Sequence, residues 1–187
     1  EAIHTLLEGK WLTSGEKVRE FEKDFSSRVG QQHSVMTNSG SSANLLMVAA
    51  LRSKRLFVFT DIAIVTPVAC FPTTVAPILQ NGFTPLFVDV ELKTLNLDLD
   101  QIEAKLTPKT KAIMFAHVLG NPPDMDRLME LCRRRDLLFL EDTCDALGSS
   151  WSGTPLGGFG KLSTCSFYPA HHITTGEGGM VSTSDEN

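Results

Sequence analysis

Val18, Phe21, Phe25 and Val29 recur at helical spacing, which places them on one face of a helix that Gly30 ends. A second helical pattern fills residues 43–51, directly after the small-residue stretch Ser39-Gly40-Ser41-Ser42. From there the pattern changes to short apolar runs that alternate with helical ones. Residues 62–68, 85–90, 112–118, 137–140, 164–168 and 179–183 predict strands. Residues 73–81, 99–106 and 125–135 predict helices, with Asp98 and Asp124 placed as N-caps for the last two. Apolar strands interleaved with helices predict an α/β fold with a mostly parallel sheet covered on both faces. No internal repeat, low-complexity tract or Pro/Gly-rich linker interrupts it, so residues 1–187 are expected to form one domain. Ligands of such sheets gather at the carboxyl ends of the strands.

Composition narrows the picture. The 187 residues are 42% hydrophobic and 21% charged, ordinary values for one domain with a sizeable core. A net charge of -5, with basic residues scattered apart from Arg133, Arg134 and Arg135, argues against a nucleic-acid surface. The arginine run follows a helical stretch and suits the negative end of its dipole. No apolar run is long enough for a bilayer and no basic-then-apolar leader is present, so a cytoplasmic location is expected. Cys70, Cys132, Cys144 and Cys165 are irregularly spaced, mostly in apolar segments, and read as reduced thiols. The chain starts at Glu1 inside a helical pattern and stops at Asn187 just after an apolar segment, which reads as a piece of a longer polypeptide. His4, His33 and His117 have no partner motif and read as surface or core residues, and packing accounts for Trp11 and Trp151.

Three segments carry candidate chemistry. In Asn38-Ser39-Gly40-Ser41-Ser42-Ala43-Asn44, small residues let backbone amides approach an anion, and the helix that follows offers its positive end. This suits a phosphate, although a plain Ser-rich helix cap has the same composition. In Leu137-Leu138-Phe139-Leu140-Glu141-Asp142 an apolar strand ends in two carboxylates. Asp142 can hold a proton on a heteroaromatic nitrogen, as pyridoxal chemistry requires; metal ligation and a simple turn role are the alternatives. In the stretch 166–179, His171 and His172 stand between a strand and a Gly-rich turn. Neighbouring side chains on extended backbone point in opposite directions, so only one of the pair is expected to face a site.

Taken in order and spacing, Ser39 to Asn44, Phe71-Pro72-Thr73-Thr74, Phe87-Val88-Asp89-Val90, Glu141-Asp142, Gly157-Gly158-Phe159-Gly160 and Ser166-Phe167 through Gly178-Gly179 resemble the DegT/DnrJ/EryC1/StrS family of sugar aminotransferases. The resemblance runs from Thr13 to Thr183. It implies the large domain of the aspartate-aminotransferase (type I) fold, with the C-terminal small domain missing from this chain. It also implies pyridoxal 5′-phosphate or pyridoxamine 5′-phosphate as cofactor and nucleotide-linked keto-sugars as substrates. Residue by residue it implies that Ser41, Ser42 and Ser166 hold the phosphate, Phe71 stacks on the pyridine ring and Asp142 pairs with its nitrogen.

One position departs from the family pattern. His171 falls where the aminotransferases have the lysine that captures the coenzyme aldehyde, and the nearest lysine, Lys161, lies upstream and outside the motif. An imidazole cannot make that covalent link but can move protons near neutral pH. The substitution resembles the sugar 3-dehydrase branch of the family, above all the branch acting on CDP-4-keto-6-deoxy-D-glucose, which shares Tyr168 to Thr174. A GDP-linked 4-keto-6-deoxyhexose is the other substrate expected. The resemblance further implies a homodimer, a reductase partner, and Cys144 as one ligand of a 2Fe-2S cluster whose other cysteines would lie past Asn187. An aminotransferase making an amino sugar, and a non-catalytic member that only binds cofactor or sugar nucleotide, are the rival readings.

Overall fold

The computed structural model describes residues 2–9, 13–53 and 61–186. Its helices are α1 (Ala2–Glu8), α2 (Glu16–Arg28), α3 (Gly40–Ala50), α4 (Pro72–Gln80), α5 (Leu99–Lys105) and α6 (Met125–Arg135). Its strands are β1 (His33–Thr37), β2 (Ala63–Pro67), β3 (Thr84–Val88), β4 (Thr110–Ala116), β5 (Leu138–Asp142), β6 (Ser150–Trp151), β7 (Thr154–Pro155), β8 (Leu162–Ser166) and β9 (Gly179–Thr183). Seven of the strands form one sheet in the order β1-β9-β8-β5-β4-β2-β3. The five from β8 to β3 run parallel, and β9 is antiparallel to both β8 and β1. The expected mostly parallel sheet is present.

Both faces are covered, as the nearly continuous apolar character of the strands requires. On β4, Ala112 and Met114 pack with Met47, Val48 and Leu51 of α3 and Ile78 of α4. The alternate residues Ile113 and Phe115 pack on the other face with Ile102 of α5 and Leu128 and Leu131 of α6. A third cluster joins Phe25 and Val29 of α2 to Cys165, Phe167 and Met180.

The helix boundaries follow local chemistry. Asp98 Oδ1 accepts from the Asp100 N–H at 3.0 Å and Asp124 Oδ1 from the Arg127 N–H at 3.0 Å, so both expected N-caps are made. The arginine run closes the last turn of α6, where Arg134 and Arg135 pair with Glu103 of α5.

The sequence pattern missed two features. Strand β1 is short and largely uncovered, so its residues do not form an apolar run. The β6–β7 hairpin has two residues per strand, too few for any periodicity. Two expected strands shift: the one ending at Tyr168 ends at Ser166, and the one ending at Val118 ends at Ala116, before a short 3-10 turn at Val118–Gly120. Trp11 lies outside the described residues, and Trp151 donates from Nε1 to Asp126 at 3.1 Å. Among the described residues no helix is long and apolar enough to cross a membrane.

Candidate active site

The carboxyl ends of β4, β5 and β8 and the N-termini of α3 and α4 enclose a cavity of ≈ 630 Å³, bordered by Gly40, Asn44, Phe71, Ala116, Asp142 and His171 among others. This is where a parallel sheet is expected to hold its ligand. Asp142, the last residue of β5, is 3% exposed. Its Oδ2 accepts from Asn44 Nδ2 at 2.8 Å and Thr74 Oγ1 at 3.1 Å, and its Oδ1 accepts from the Cys144 N–H at 3.1 Å. Asn44 Oδ1 in turn accepts from Thr164 Oγ1 at 2.6 Å. Helix α3 and strand β8 therefore fix the plane of the carboxylate, a role for Asn44 that its place in a Ser/Gly stretch did not reveal.

The N-terminus of α3 forms one wall. Ser39 caps the helix, its Oγ accepting from the Ser42 N–H at 3.1 Å. Ser41 faces the cavity and donates to Thr73 Oγ1 at 3.2 Å, while Ser166 borders the same space and accepts from the Tyr168 N–H at 3.3 Å. Ser42 does not border the cavity; its Oγ accepts from Ser39 at 3.1 Å instead. Gly40 lets these parts close together. A Cβ there would lie 2.6 Å from Ser166 Cβ and 3.1 Å from Cys144 Sγ. A helix start lined by hydroxyls and free of a side chain at its tightest point fits a phosphate. Phe71, the residue before α4, borders the cavity and is 68% exposed, with a ring face available for stacking.

His171 sits on a turn held at both ends. Its N–H donates to the Tyr168 carbonyl at 3.0 Å, Thr175 N–H donates to the Phe167 carbonyl at 3.1 Å, and Phe167 N–H donates to the Gly178 carbonyl at 2.9 Å. The His171 ring borders the cavity, whereas His172 is exposed and does not. Of the described residues bordering the cavity none is a lysine. Lys161 pairs with Asp185 instead.

Cys144 also borders the cavity. Burial, reinforced by the Asp142 carboxylate, pushes its thiol far above the usual range, which disfavours the thiolate a metal would need. Among the described residues no group of three or more His, Cys, Asp or Glu side chains is arranged to hold a metal. These residues do not fit an iron-sulfur cluster, and no chemistry is derived through one.

Next to Asp142, on the opposite face of the strand, Glu141 is fully buried. It accepts from the N–H groups of Gly157, Phe159 and Gly160 at 2.6, 3.1 and 2.9 Å and lies 3.0 Å from His117 Nε2. The core role expected of His117 is thereby defined, and Glu141 emerges as the clamp for the glycine-rich loop.

The sheet order and the strand-end pocket define the cofactor-domain architecture of the aminotransferase-type α/β enzymes. The chain belongs to the DegT/DnrJ/EryC1/StrS aminotransferase family, whose sequence model matches residues 1–187. It is 46% identical over 184 residues to the lipopolysaccharide biosynthesis protein RfbH of Salmonella typhimurium, covering 97% of this chain and 42% of that protein. It is 46% identical over 175 residues to a dTDP-4-dehydro-2,6-dideoxy-D-glucose 3-dehydratase of Saccharopolyspora spinosa, covering 92% of this chain and 38% of that one. Among solved structures, the Escherichia coli GDP-4-keto-6-deoxy-D-mannose-3-dehydratase with bound hydrated pyridoxal phosphate superposes with a TM-score of 0.94 at 38% identity, over 99% of this chain and 48% of that one. The chain thus spans less than half the length of these relatives.

Proposed function

We propose that this chain, residues 1–187, is the cofactor-binding large domain of a pyridoxamine 5′-phosphate-dependent enzyme that removes the C3 hydroxyl of a nucleotide-linked 4-keto-6-deoxyhexose, in deoxysugar and lipopolysaccharide O-antigen biosynthesis. The observation that carries this reading is His171 facing the cavity where the family has its lysine, with no lysine among the described bordering residues. Two of the relatives named above are 3-dehydratases, which supports it.

When bound, the cofactor's protonated pyridine ring acts as an electron sink. Asp142 keeps the proton on the ring nitrogen, held in place by Asn44 and Thr74. Ser41 and Ser166 hold the phosphate at the start of α3, with Ser42 contributing through the cap it forms with Ser39. Phe71 stacks on the ring. His171 takes the proton from the cofactor's C4′ as hydroxide leaves sugar C3, so proton and hydroxide together amount to water.

A CDP- or GDP-linked sugar is the proposed substrate. A homodimer belongs to the same reading, supported by Phe71, Val68 and Leu119, which are 68%, 61% and 80% exposed and offer apolar surface to a second copy. Free Cys70, Cys132, Cys144 and Cys165 support a cytoplasmic setting. A reductase partner was tied to the cluster, which the described residues do not support.

The test is incubation of the full-length protein with pyridoxamine phosphate and each 4-keto-6-deoxyhexose nucleotide, followed by mass analysis of the sugar. Loss of the C3 oxygen is expected. An amino sugar that keeps that oxygen, or borohydride fixing the coenzyme to a lysine, overturns the reading.

A further inference from the structure

We propose that Asp145 is a positioning residue for His171, fixing the imidazole proton on Nδ1 so that Nε2 is the bare nitrogen that accepts a proton. The proposal rests on the reading of His171 as the proton-moving group. Asp145 Oδ1 stands 3.4 Å from His171 Nδ1. That separation is within ion-pair range and long for a hydrogen bond, as catalytic pairs often are before the ligand tightens them. Both side chains border the cavity, at 50% and 24% exposure, so the contact forms at its wall.

The two residues arrive on independently anchored segments. Ala146, next to Asp145, is fully buried and donates its N–H to the Thr143 carbonyl at 2.9 Å. His171 is held by its own N–H to the Tyr168 carbonyl, and the Tyr168 ring stands edge-on at 6.3 Å between centroids. Backbone anchoring of both leaves the imidazole little freedom except which nitrogen carries the proton. In a neutral imidazole the partner of one nitrogen decides that. An ionised carboxylate only accepts, so it selects Nδ1–H. An asparagine at the same position offers an N–H, which satisfies a bare Nδ1 and moves the proton to Nε2, blocking the base.

The experiment uses the full-length protein loaded with pyridoxamine phosphate and labelled with 15N-histidine, read by long-range proton–nitrogen correlation, with His171→Asn identifying the His171 signals. The Nδ1–H form is expected in the unmodified protein, the Nε2–H form in Asp145→Asn and a mixture in Asp145→Ala. Dehydration by both variants should fall in kcat by about tenfold or more, with KM for the sugar nucleotide unchanged. Identical His171 tautomers in all three proteins overturn the proposal, as does a loss confined to KM. An Asp145-dependent tautomer in a protein that dehydrates no keto-sugar upholds the pairing and removes the proposed function instead.

Discussion

Asn44 on α3 donates to Asp142 at 2.8 Å while accepting from Thr164 at 2.6 Å, so one buried amide ties the first helix behind the phosphate wall to two neighbouring strands. Both ends of the amide are used, and its orientation follows from its partners.

Asn44→Leu keeps the volume and removes both hydrogen bonds. The Thr164 hydroxyl then loses its acceptor and Asp142 a donor, at about 1–3 kcal/mol for each buried group left unmatched. The apo protein should unfold several degrees lower by calorimetry, and the cofactor should bind with an altered ring spectrum. An unchanged midpoint and spectrum would remove the amide from the account.

His171→Asn should reduce dehydration by about 10²–10⁴-fold, the usual contribution of a positioned base, with cofactor affinity retained. His171→Lys restores an amine at that position, and borohydride should then attach pyridoxal phosphate to it. If the asparagine variant turns over normally, the proton is moved by another group.

Gly40→Ala drives a methyl group to within 2.6 Å of Ser166 Cβ, and backbone on one side and a strand on the other give it little room. Overpacking of this kind costs about 1–3 kcal/mol. We expect binding of pyridoxal phosphate, followed by absorbance titration, to weaken by about tenfold. Pyridoxal itself, which lacks the phosphate, should bind the variant and the parent alike; equal weakening of both would place the damage elsewhere.

Burial pushes the Cys132 and Cys165 thiols up to about 12 from 9.0. The unfolded chain therefore releases these protons first as pH rises. The stability they provide is complete below pH 9 and declines from there toward 12. Urea midpoints should fall over that interval, and Cys132→Ala should flatten the slope. A slope identical in the variant would show that other groups set it.

The sequence disclosed what local chemistry controls. Asp98 and Asp124 mark helix starts because a side-chain oxygen can satisfy a free N–H only at those places. The alternation of strands and helices followed from continuous apolar runs. Contacts that depend on tertiary register stayed hidden: nothing in the chain brings Asn44 to Thr164, Glu141 to Gly157 or Asp145 to His171 until the sheet is assembled. Strand β1 escaped notice for a related reason, since it is stabilised by pairing with β9 and not by an apolar face of its own. Ser42 was grouped with the phosphate ligands by its position in the motif, and the helix turns its hydroxyl back to the cap.

Glu141 and Asp142 are neighbours with opposite destinations, one latching the loop at 157–160 and the other facing the cavity. Side chains on a strand alternate, so sliding β5 by one residue would exchange the two carboxylates. The pairings of Asp142 with Ala116 on one side and Thr164 on the other prevent that slide. Strand alignment in this sheet is therefore part of the reaction apparatus: an insertion or deletion of a single residue in β5 would extinguish the chemistry even if every side chain named here were kept.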